Sequence, residues 1–91
     1  MRRSKRYRDP LQEIPGIGPN LAGHIREIGY ADPSELRDQD PERMYERLCE
    51  MHGRSFDRCV LYAFRCAVYY ASHERCDPEL LKWWNWKDRT L

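Results

Sequence analysis

The positions of proline restrict the fold of this 91-residue chain more than any other feature. Five of the six prolines follow a residue that commonly caps a helix: four aspartates, in Asp9-Pro10, Asp32-Pro33, Asp40-Pro41 and Asp77-Pro78, and one glycine, in Gly18-Pro19. Proline fits the first position of a helix, where its missing N–H has no partner to lose. Aspartate and glycine are both favoured as the N-cap residue before it. Each pair therefore predicts a helix start.

Apolar residues between these starts recur at helical spacing. Two stripes are evident: Leu21, Ala22, Ile25 and Ile28, and then Met44, Tyr45, Leu48 and Cys49. Gly29 and Gly53 follow the two stripes and are placed to end the helices. A third helix is predicted from about Ser55, as its cap, to Ala71. It is apolar nearly all round, and Arg58 and Arg65 are expected to mark its exposed edge.

We therefore predict an all-α fold of five to six short helices in a single domain at residues 9–86. A flexible basic arm at 1–8 precedes it and a loose tail at 87–91 follows. A short helix, a turn and a longer helix are predicted at 10–28 and again at 33–51, so the same unit occurs twice. An apolar helix and a Trp-rich C-terminal segment complete the domain, whose length allows one modest core.

The charge pattern gives no strong overall attraction to nucleic acid, because the net charge at pH 7 is only +1. Basic residues are instead concentrated in the first eight positions, at Arg2, Arg3, Lys5, Arg6 and Arg8. This arm either lies along a phosphate backbone or is a solvated tail. The sequence shows neither the apolar core of a signal peptide nor the roughly 20 apolar residues of a membrane helix. We expect a cytoplasmic protein that does not contact membranes.

The segment Ile14-Pro15-Gly16-Ile17-Gly18 predicts a tight turn before the helix that starts at Pro19. Gly16 and Gly18 allow backbone conformations and close approaches closed to other residues, while Ile17 anchors the turn in the core. The amides of the turn and of the first helical residues, including Asn20, would then converge with the positive end of the helix dipole. A backbone phosphate fits there, and the contact does not read sequence. The alternative is a purely structural turn, or one that docks a partner protein.

Two side chains of the following helix, His24 and Arg26, are candidates to reach an adjacent phosphate, and both are equally consistent with ordinary surface residues. We therefore predict a nucleic-acid site composed of the turn, these two side chains and the basic arm: Gly16, Ile17, Gly18, Asn20, His24, Arg26, Arg2, Arg3, Lys5, Arg6 and Arg8.

The turn resembles the helix-hairpin-helix family, whose pattern of aliphatic residue, any residue, glycine, aliphatic residue, glycine and a later alanine is met by Ile14, Gly16, Ile17, Gly18 and Ala22. Nearly the whole chain is also similar to the small bacterial pathogenicity-locus helix-hairpin-helix proteins, chiefly at 58–62, 64–71 and 80–87. The resemblance implies a tandem helix-hairpin-helix fold whose second unit is degenerate, since Arg37-Asp38-Gln39-Asp40 replaces the glycines there. It does not imply a well-defined activity. Many DNA-binding hairpins carry Lys or Arg directly after the second glycine, whereas this chain has Pro19 and Asn20, so we expect modest affinity.

Metal and cofactor binding are not predicted, although one zinc arrangement stays open. Cys49-x-x-His52 and His73-x-x-Cys76 are two pairs with ligand-like spacing that a fold could bring together. No familiar finger has this order. The four cysteines are expected to be reduced thiols.

The three tryptophans, Trp83, Trp84 and Trp86, have two interpretations. They either close a small core or stack on bases. For catalysis the sequence contains no phosphate loop, nucleophile elbow or His-Glu-x-x-His motif, and we predict that the protein is not an enzyme.

The predicted function is non-sequence-specific binding of nucleic acid, with DNA favoured over RNA, through hairpin amides that contact a backbone phosphate. The alternative is a protein-interaction or homodimeric scaffold protein that uses the apolar 59–70 helix or the Trp tail and has no nucleic-acid role.

Overall fold

The computed structural model describes residues 9–91, so the arm predicted at 1–8, with Arg2, Arg3, Lys5, Arg6 and Arg8, lies outside the described residues. Residues 9–91 form three α-helices and no strand: α1 (Pro19–Glu27), α2 (Pro41–His52) and α3 (Arg58–Ser72). Four single 3₁₀ turns complete this part of the chain, at Pro10–Glu13, Pro33–Leu36, Pro78–Leu81 and Trp83–Trp86. The prediction of an all-α fold is confirmed, whereas the prediction of five to six helices is wrong.

The missing helices are short segments that begin as predicted but stop after one turn. Asp9, Asp32 and Asp77 each accept a backbone N–H two residues on, as N-caps do. Each cap is followed by only four residues before the backbone becomes extended. This length permits an i→i+3 turn but does not repay the cost of nucleating an α-helix. The same cap chemistry therefore starts both kinds of element, and length separates them.

Helices α2 and α3 test which of the predicted cap residues begin and end a helix. Asp40 caps α2 by accepting the amides of Glu42 and Arg43, and Gly53 ends that helix in the left-handed conformation at φ +65°. Helix α3 begins later than predicted, because Asp57, rather than Ser55, accepts the Cys59 amide and acts as the N-cap.

The core is formed where α3 packs against α2, the Pro33–Leu36 turn and the two C-terminal turns. Its completely buried side chains come from every part of the described chain: Leu11, Ile14, Ile25, Leu36, Leu48, Phe64 and Trp86. On α3 itself the buried positions are Leu61 and 63–68. The apolar surface of α3 is therefore covered mostly within the chain. None of the helices at residues 9–91 has the length and apolar character needed to span a bilayer.

The prediction that Arg65 marks the exposed edge of α3 is wrong. Its side chain is 8% exposed and contacts the Glu42 carboxylate at 2.8 Å. It also donates to the Trp86 carbonyl oxygen at 2.8 Å. A buried guanidinium is tolerated because a carboxylate and a carbonyl satisfy its donors. Arg65 thus joins the start of α2 and the C-terminal turn to the middle of α3.

Candidate functional site

The turn before α1 has a sharply bent backbone held by two buried isoleucines. Ile14 and Ile17 are both buried, and the Ile17 amide donates to the Ile14 carbonyl at 3.1 Å. Gly16 between them has φ +84°, in the left-handed region that a residue with a Cβ rarely adopts. Gly18 is extended and serves as the N-cap of α1. The glycine turn, residues 14–18, is thus fixed in the core on one side and leads directly into the helix.

The start of α1 has amides without protein partners among residues 9–91. Gly18 has no side chain to cap the helix, and Pro19 has no N–H. The Ala22 amide donates to the Gly18 carbonyl at 2.9 Å, whereas no acceptor within the described chain pairs with the amides of Gly18, Asn20 or Leu21. The first amides of a helix have no intrahelical acceptor, so water or a ligand must satisfy them. An anion at this position would also meet the positive end of the dipole of α1.

Trp83 lies beside the glycine turn, and Trp84 contacts Trp83. An added Cβ at Gly16 would lie 3.5 Å from Cδ1 of Trp83, which shows how closely that ring covers the turn. Trp83 also lines a shallow, mostly apolar groove of about 230 Å³ together with Asn20, Leu21, His24, Cys59, Val60 and Ala63. The Trp84 ring meets Trp83 edge to face, 5.7 Å between centroids, and is 55% exposed. Trp83 therefore lies beside the start of α1, and the exposed Trp84 ring contacts Trp83.

The Trp-rich segment divides its roles residue by residue. Trp86 is 2% exposed, and its indole N–H donates to the Leu80 carbonyl at 2.8 Å, so it closes the core. Trp83 is half-buried and packs against the core from its edge. Trp84 alone of the three presents most of its ring to solvent.

Two side chains predicted to contact phosphate are engaged with carboxylates. Arg26 forms a two-pronged pair with Asp9, with N–O distances of 2.8 and 2.6 Å. This guanidinium lowers the pKa of the Asp9 carboxyl, with help from the Leu11 amide. His24 Nδ1 lies 3.2 Å from Oε1 of Glu27, one turn further along α1. Arg26 therefore lies away from the unpaired amides, whereas His24 shares the groove at Trp83 with Asn20 and Leu21.

His24 belongs to a cluster at the C-terminal ends of α1 and α2. His52, the last residue of α2, places Nε2 2.9 Å from the same Glu27 oxygen. The ligand atoms of His24, Glu27 and His52 all lie within 4.8 Å of one another. Hydrogen bonds from His52 first and His24 second hold the pKa of the Glu27 carboxyl below its usual range. We call these three residues the two-histidine cluster.

Comparison with known proteins supplies the family. The sequence profile of the Cdd1 family, described as "Pathogenicity locus", matches residues 4–90. This chain belongs to the Cdd1 family. It is also 30% identical over 76 residues to a protein of Streptomyces lavendulae named mitomycin resistance protein McrB, over 84% of this chain and 69% of that protein. No solved structure shows a significant match.

In this Cdd1-family chain the zinc arrangement left open by the sequence is not assembled. Cys49 and His52 lie in the last turn of α2, whereas His73 and Cys76 follow the far end of α3, which is about 22 Å long. Among residues 9–91, no group of three ligand atoms within 4.8 Å includes either cysteine or His73. Burial also raises the pKa of the Cys76 thiol, which disfavours the thiolate that a metal needs.

Sequence reasoning on this Cdd1-family chain missed the two-histidine cluster. His24 and Glu27 are three residues apart on α1, a spacing that places side chains on one helix face. This spacing was available in the sequence, but Glu27 and His52 are 25 positions apart, and nothing in the sequence indicated that α1 and α2 end side by side. The position of His52 depends on how the two helices pack.

Proposed function

We propose that this protein binds nucleic acid without regard to sequence, by holding a backbone phosphate on the amides of Gly18, Asn20 and Leu21. The observation that carries the proposal is that these amides lack acceptors within residues 9–91, whereas Asp40 and Asp57 occupy the corresponding amides of α2 and α3. The finer proposal is that the glycine turn and α1 form the active unit of a tandem helix-hairpin-helix fold. The Pro33–Leu36 turn and α2 would be its structural counterpart.

Main-chain donors suit a phosphate of any nucleotide. They contact the oxygens that every backbone unit presents and do not reach the base edges that distinguish sequences. The amides are fixed before binding, because Ile14 and Ile17 hold the glycine turn in the core and Gly16 takes the conformation the bend requires. Little conformational entropy would then be lost on binding.

The exposed Trp84 ring supports a contact with bases as well as with phosphate. It lies beside Trp83, which covers Gly16, so a strand whose phosphate sits on the amides passes this aromatic face. Stacking on an aromatic side chain is worth about 1–3 kcal/mol per base and tolerates any base. Unpaired bases can stack in this way, whereas bases in a duplex are already stacked, so the proposal favours single strands or strand ends.

Affinity is expected to be modest. Arg26 is paired with Asp9, and Lys82, next to Trp83, pairs with Glu79 at 3.1 Å. The basic arm, Arg2, Arg3, Lys5, Arg6 and Arg8, is proposed to neutralise neighbouring phosphates. With two to four phosphates neutralised, the logarithm of the affinity should fall against the logarithm of salt concentration with a slope of about −2 to −4.

The test is a fluorescence anisotropy titration of labelled single-stranded and duplex oligonucleotides at two salt concentrations, with wild type and Gly18→Asp. An aspartate at Gly18 would accept the amides itself and repel phosphate, as Asp40 does for α2. An added Cβ at Gly18 meets nothing within 4 Å, so the variant should fold. We expect binding to weaken at least tenfold.

Two matched variants separate the effect of the capping oxygen at Gly18 from the effects of added charge and of the substitution itself. Gly23→Asp adds the same charge to α1 at a position where a Cβ also meets nothing within 4 Å, but it cannot cap the helix. Gly18→Ala changes the same residue without adding a capping oxygen. Both should retain most of the affinity. An affinity that does not change with salt, or a Gly18→Asp variant that binds as wild type does, would overturn the proposal.

The second candidate function is docking of a partner protein, favoured by the apolar groove at Trp83 and by the exposed Trp84. The homodimer alternative loses part of its basis, because most apolar residues of α3 are buried within the chain. Sedimentation separates the two functions. A tight dimer with no detectable oligonucleotide binding at low salt would favour the docking function, with a second copy of the chain as the partner.

A further inference from the structure

We propose that His24, Glu27 and His52 form a binding site for one divalent transition-metal ion, with zinc the best match. The observation is the convergence of two imidazole nitrogens and one carboxylate oxygen within 4.8 Å of one another at the ends of two helices. This inference does not rest on the phosphate site, although His24 also lines the groove that includes Asn20 and Leu21.

The distances already approach those of a coordination sphere. With bonds of about 2.0–2.1 Å, adjacent ligands of a tetrahedral zinc ion stand roughly 3.3 Å apart. Glu27 Oε1 lies 3.2 Å from His24 Nδ1 and 2.9 Å from His52 Nε2. The metal would take the place of these two hydrogen bonds after small side-chain rotations. No movement of the helices is required.

The donor set selects the class of metal. Two imidazoles and one carboxylate form a combination that zinc uses in sites with an open fourth position. Imidazole is a poor match for magnesium and calcium, which prefer oxygen ligands. The side chains of His24, Glu27 and His52 are 25%, 43% and 33% exposed, so an ion can enter and a water can fill the remaining position.

Helix electrostatics also favour a cation here. Helix α1 ends at Glu27 and α2 ends at His52, so the negative ends of both helix dipoles point toward the cluster. The guanidinium of Arg54 lies 4.1 Å from the Phe56 ring centroid, where it is engaged in a cation–π contact.

Phe56 holds the two imidazoles in place. Its ring meets both His24 and His52 edge to face, with 5.1 Å between centroids in each case. The Tyr45 hydroxyl donates to the Phe56 carbonyl and so fixes this loop residue to α2. The cluster is thus walled on one side by an anchored aromatic ring, and the ligands start close to the geometry that a metal requires.

Metal binding requires each imidazole to lose the proton from the nitrogen that faces Glu27. Each imidazole bonded to Oε1 of Glu27 presents an N–H there, whereas a metal needs the lone pair of that nitrogen. A neutral ring meets this need by carrying its proton on the other nitrogen. A protonated ring must instead release one proton.

The experiment is calorimetric titration of chelator-treated full-length protein with Zn²⁺, and visible spectroscopy with Co²⁺. We expect one ion per chain and a Co²⁺ spectrum typical of four-coordination. His24→Gln and His52→Gln should each weaken Zn²⁺ binding at least tenfold, and Glu27→Gln should weaken it as well. Zn²⁺ should raise the melting temperature of wild type but not of His52→Gln.

His73→Gln is the matched control, because His73 is the third histidine of the chain and its ring nitrogen is bonded to the Tyr69 carbonyl. It should bind Zn²⁺ as wild type does. Cys49→Ser and Cys59→Ser should also retain binding. Absence of stoichiometric binding would overturn the site and leave the cluster as a hydrogen-bonded link between α1 and α2. Loss of binding in the cysteine or His73 variants, with His24→Gln and His52→Gln unaffected, would overturn it too.

Discussion

The two units that begin with a 3₁₀ turn and continue into a helix differ at the start of the helix. In the first, residues 10–27, the helix starts at Gly18 and leaves amides without acceptors among residues 9–91. In the second, residues 33–52, Asp40 accepts the amides of Glu42 and Arg43 at 3.0 and 3.4 Å. The same order of elements therefore produces one helix start that can receive an anion and one that carries its own.

The units also differ in how they are fixed to the rest of the fold. The second is held by Glu42, whose carboxylate contacts the buried Arg65 of α3. The first is joined to α2 near its C-terminal end, where Arg47 donates to the Ile28 carbonyl at 3.0 Å and His52 contacts Glu27 at 2.9 Å. Its Asp9–Arg26 pair lies within the unit. The comparison indicates that the second unit has a structural role, whereas the first leaves its helix start open for a ligand.

Removal of Arg65 should have the largest effect on stability, because it breaks the buried contacts that join α2 and the C-terminal turn to α3. Arg65→Ala leaves the Trp86 carbonyl without its donor and Glu42 without its partner. We expect the free energy of unfolding to fall by about 2–3 kcal/mol, as for loss of a buried charged hydrogen bond. Urea denaturation monitored by circular dichroism measures it. Arg58→Ala, at an exposed position of α3, should change stability by less than about 0.5 kcal/mol. Equal effects of the two changes would contradict the structural role of Arg65.

Truncation of Trp84 tests whether the first unit binds bases as well as phosphate. Trp84→Ala removes the exposed ring beside the glycine turn and should weaken single-strand binding by about 1–2 kcal/mol, or roughly 5- to 30-fold. Duplex binding should change less. Met51→Ala, which removes a side chain from an equally exposed residue on α2, should leave both affinities unchanged. Anisotropy titrations make the comparison, and identical losses for single strands and duplexes would exclude stacking.

Removal of the Asp40 cap opens the second helix start. Asp40→Ala should lower the free energy of unfolding by about 1 kcal/mol, whereas Asp40→Asn, which retains a capping oxygen, should cost little. Asp40→Ala should not create a second nucleic-acid site, since Asp38 and Glu42 still place carboxylates at this turn. Thermal denaturation and anisotropy measure the two effects. An increase in oligonucleotide affinity would contradict the contrast between the units.

The smallest effect is expected at Asp9, and it should depend on pH. The Arg26 pair lowers the pKa of Asp9 in the folded state, so its stabilisation is complete above the unfolded pKa, about 3.9, and is lost as pH falls through the folded value. Asp9→Asn keeps a capping group and should cost less than about 1 kcal/mol at pH 7. Stability curves from pH 6 to pH 2 should show a weaker acid dependence for the variant. Parallel curves for the two proteins would exclude the pair as a stabilising contact.

Local chemistry explains what the sequence predicted. The caps at Asp9, Asp32, Asp40 and Asp77 depend on residues within two or three positions of each other, and all four form as expected. Gly53 ends α2 for an equally local reason. A cap residue does not determine the length of the element that follows it. The four aspartate caps therefore precede one α-helix and three 3₁₀ turns.

Features that depend on packing could not be predicted. Arg65 has the sequence signature of an exposed residue, and it is buried because Glu42 and the Trp86 carbonyl, 23 and 21 residues away, meet it. The two-histidine cluster likewise requires α1 and α2 to end together. The Trp-rich segment kept two interpretations because burial of Trp86 and exposure of Trp84 are decided by the turn that contains them.

The central claim is that the amides opening α1 bind a backbone phosphate while those opening α2 do not. An ¹⁵N–¹H correlation spectrum recorded during titration with a single-stranded oligonucleotide observes each amide separately. We expect the signals of Gly18, Asn20 and Leu21 to shift until the protein is saturated, while those of Glu42 and Arg43 stay in place. Shifts at the start of α2 with none at the start of α1, or no shifts at either, would contradict it.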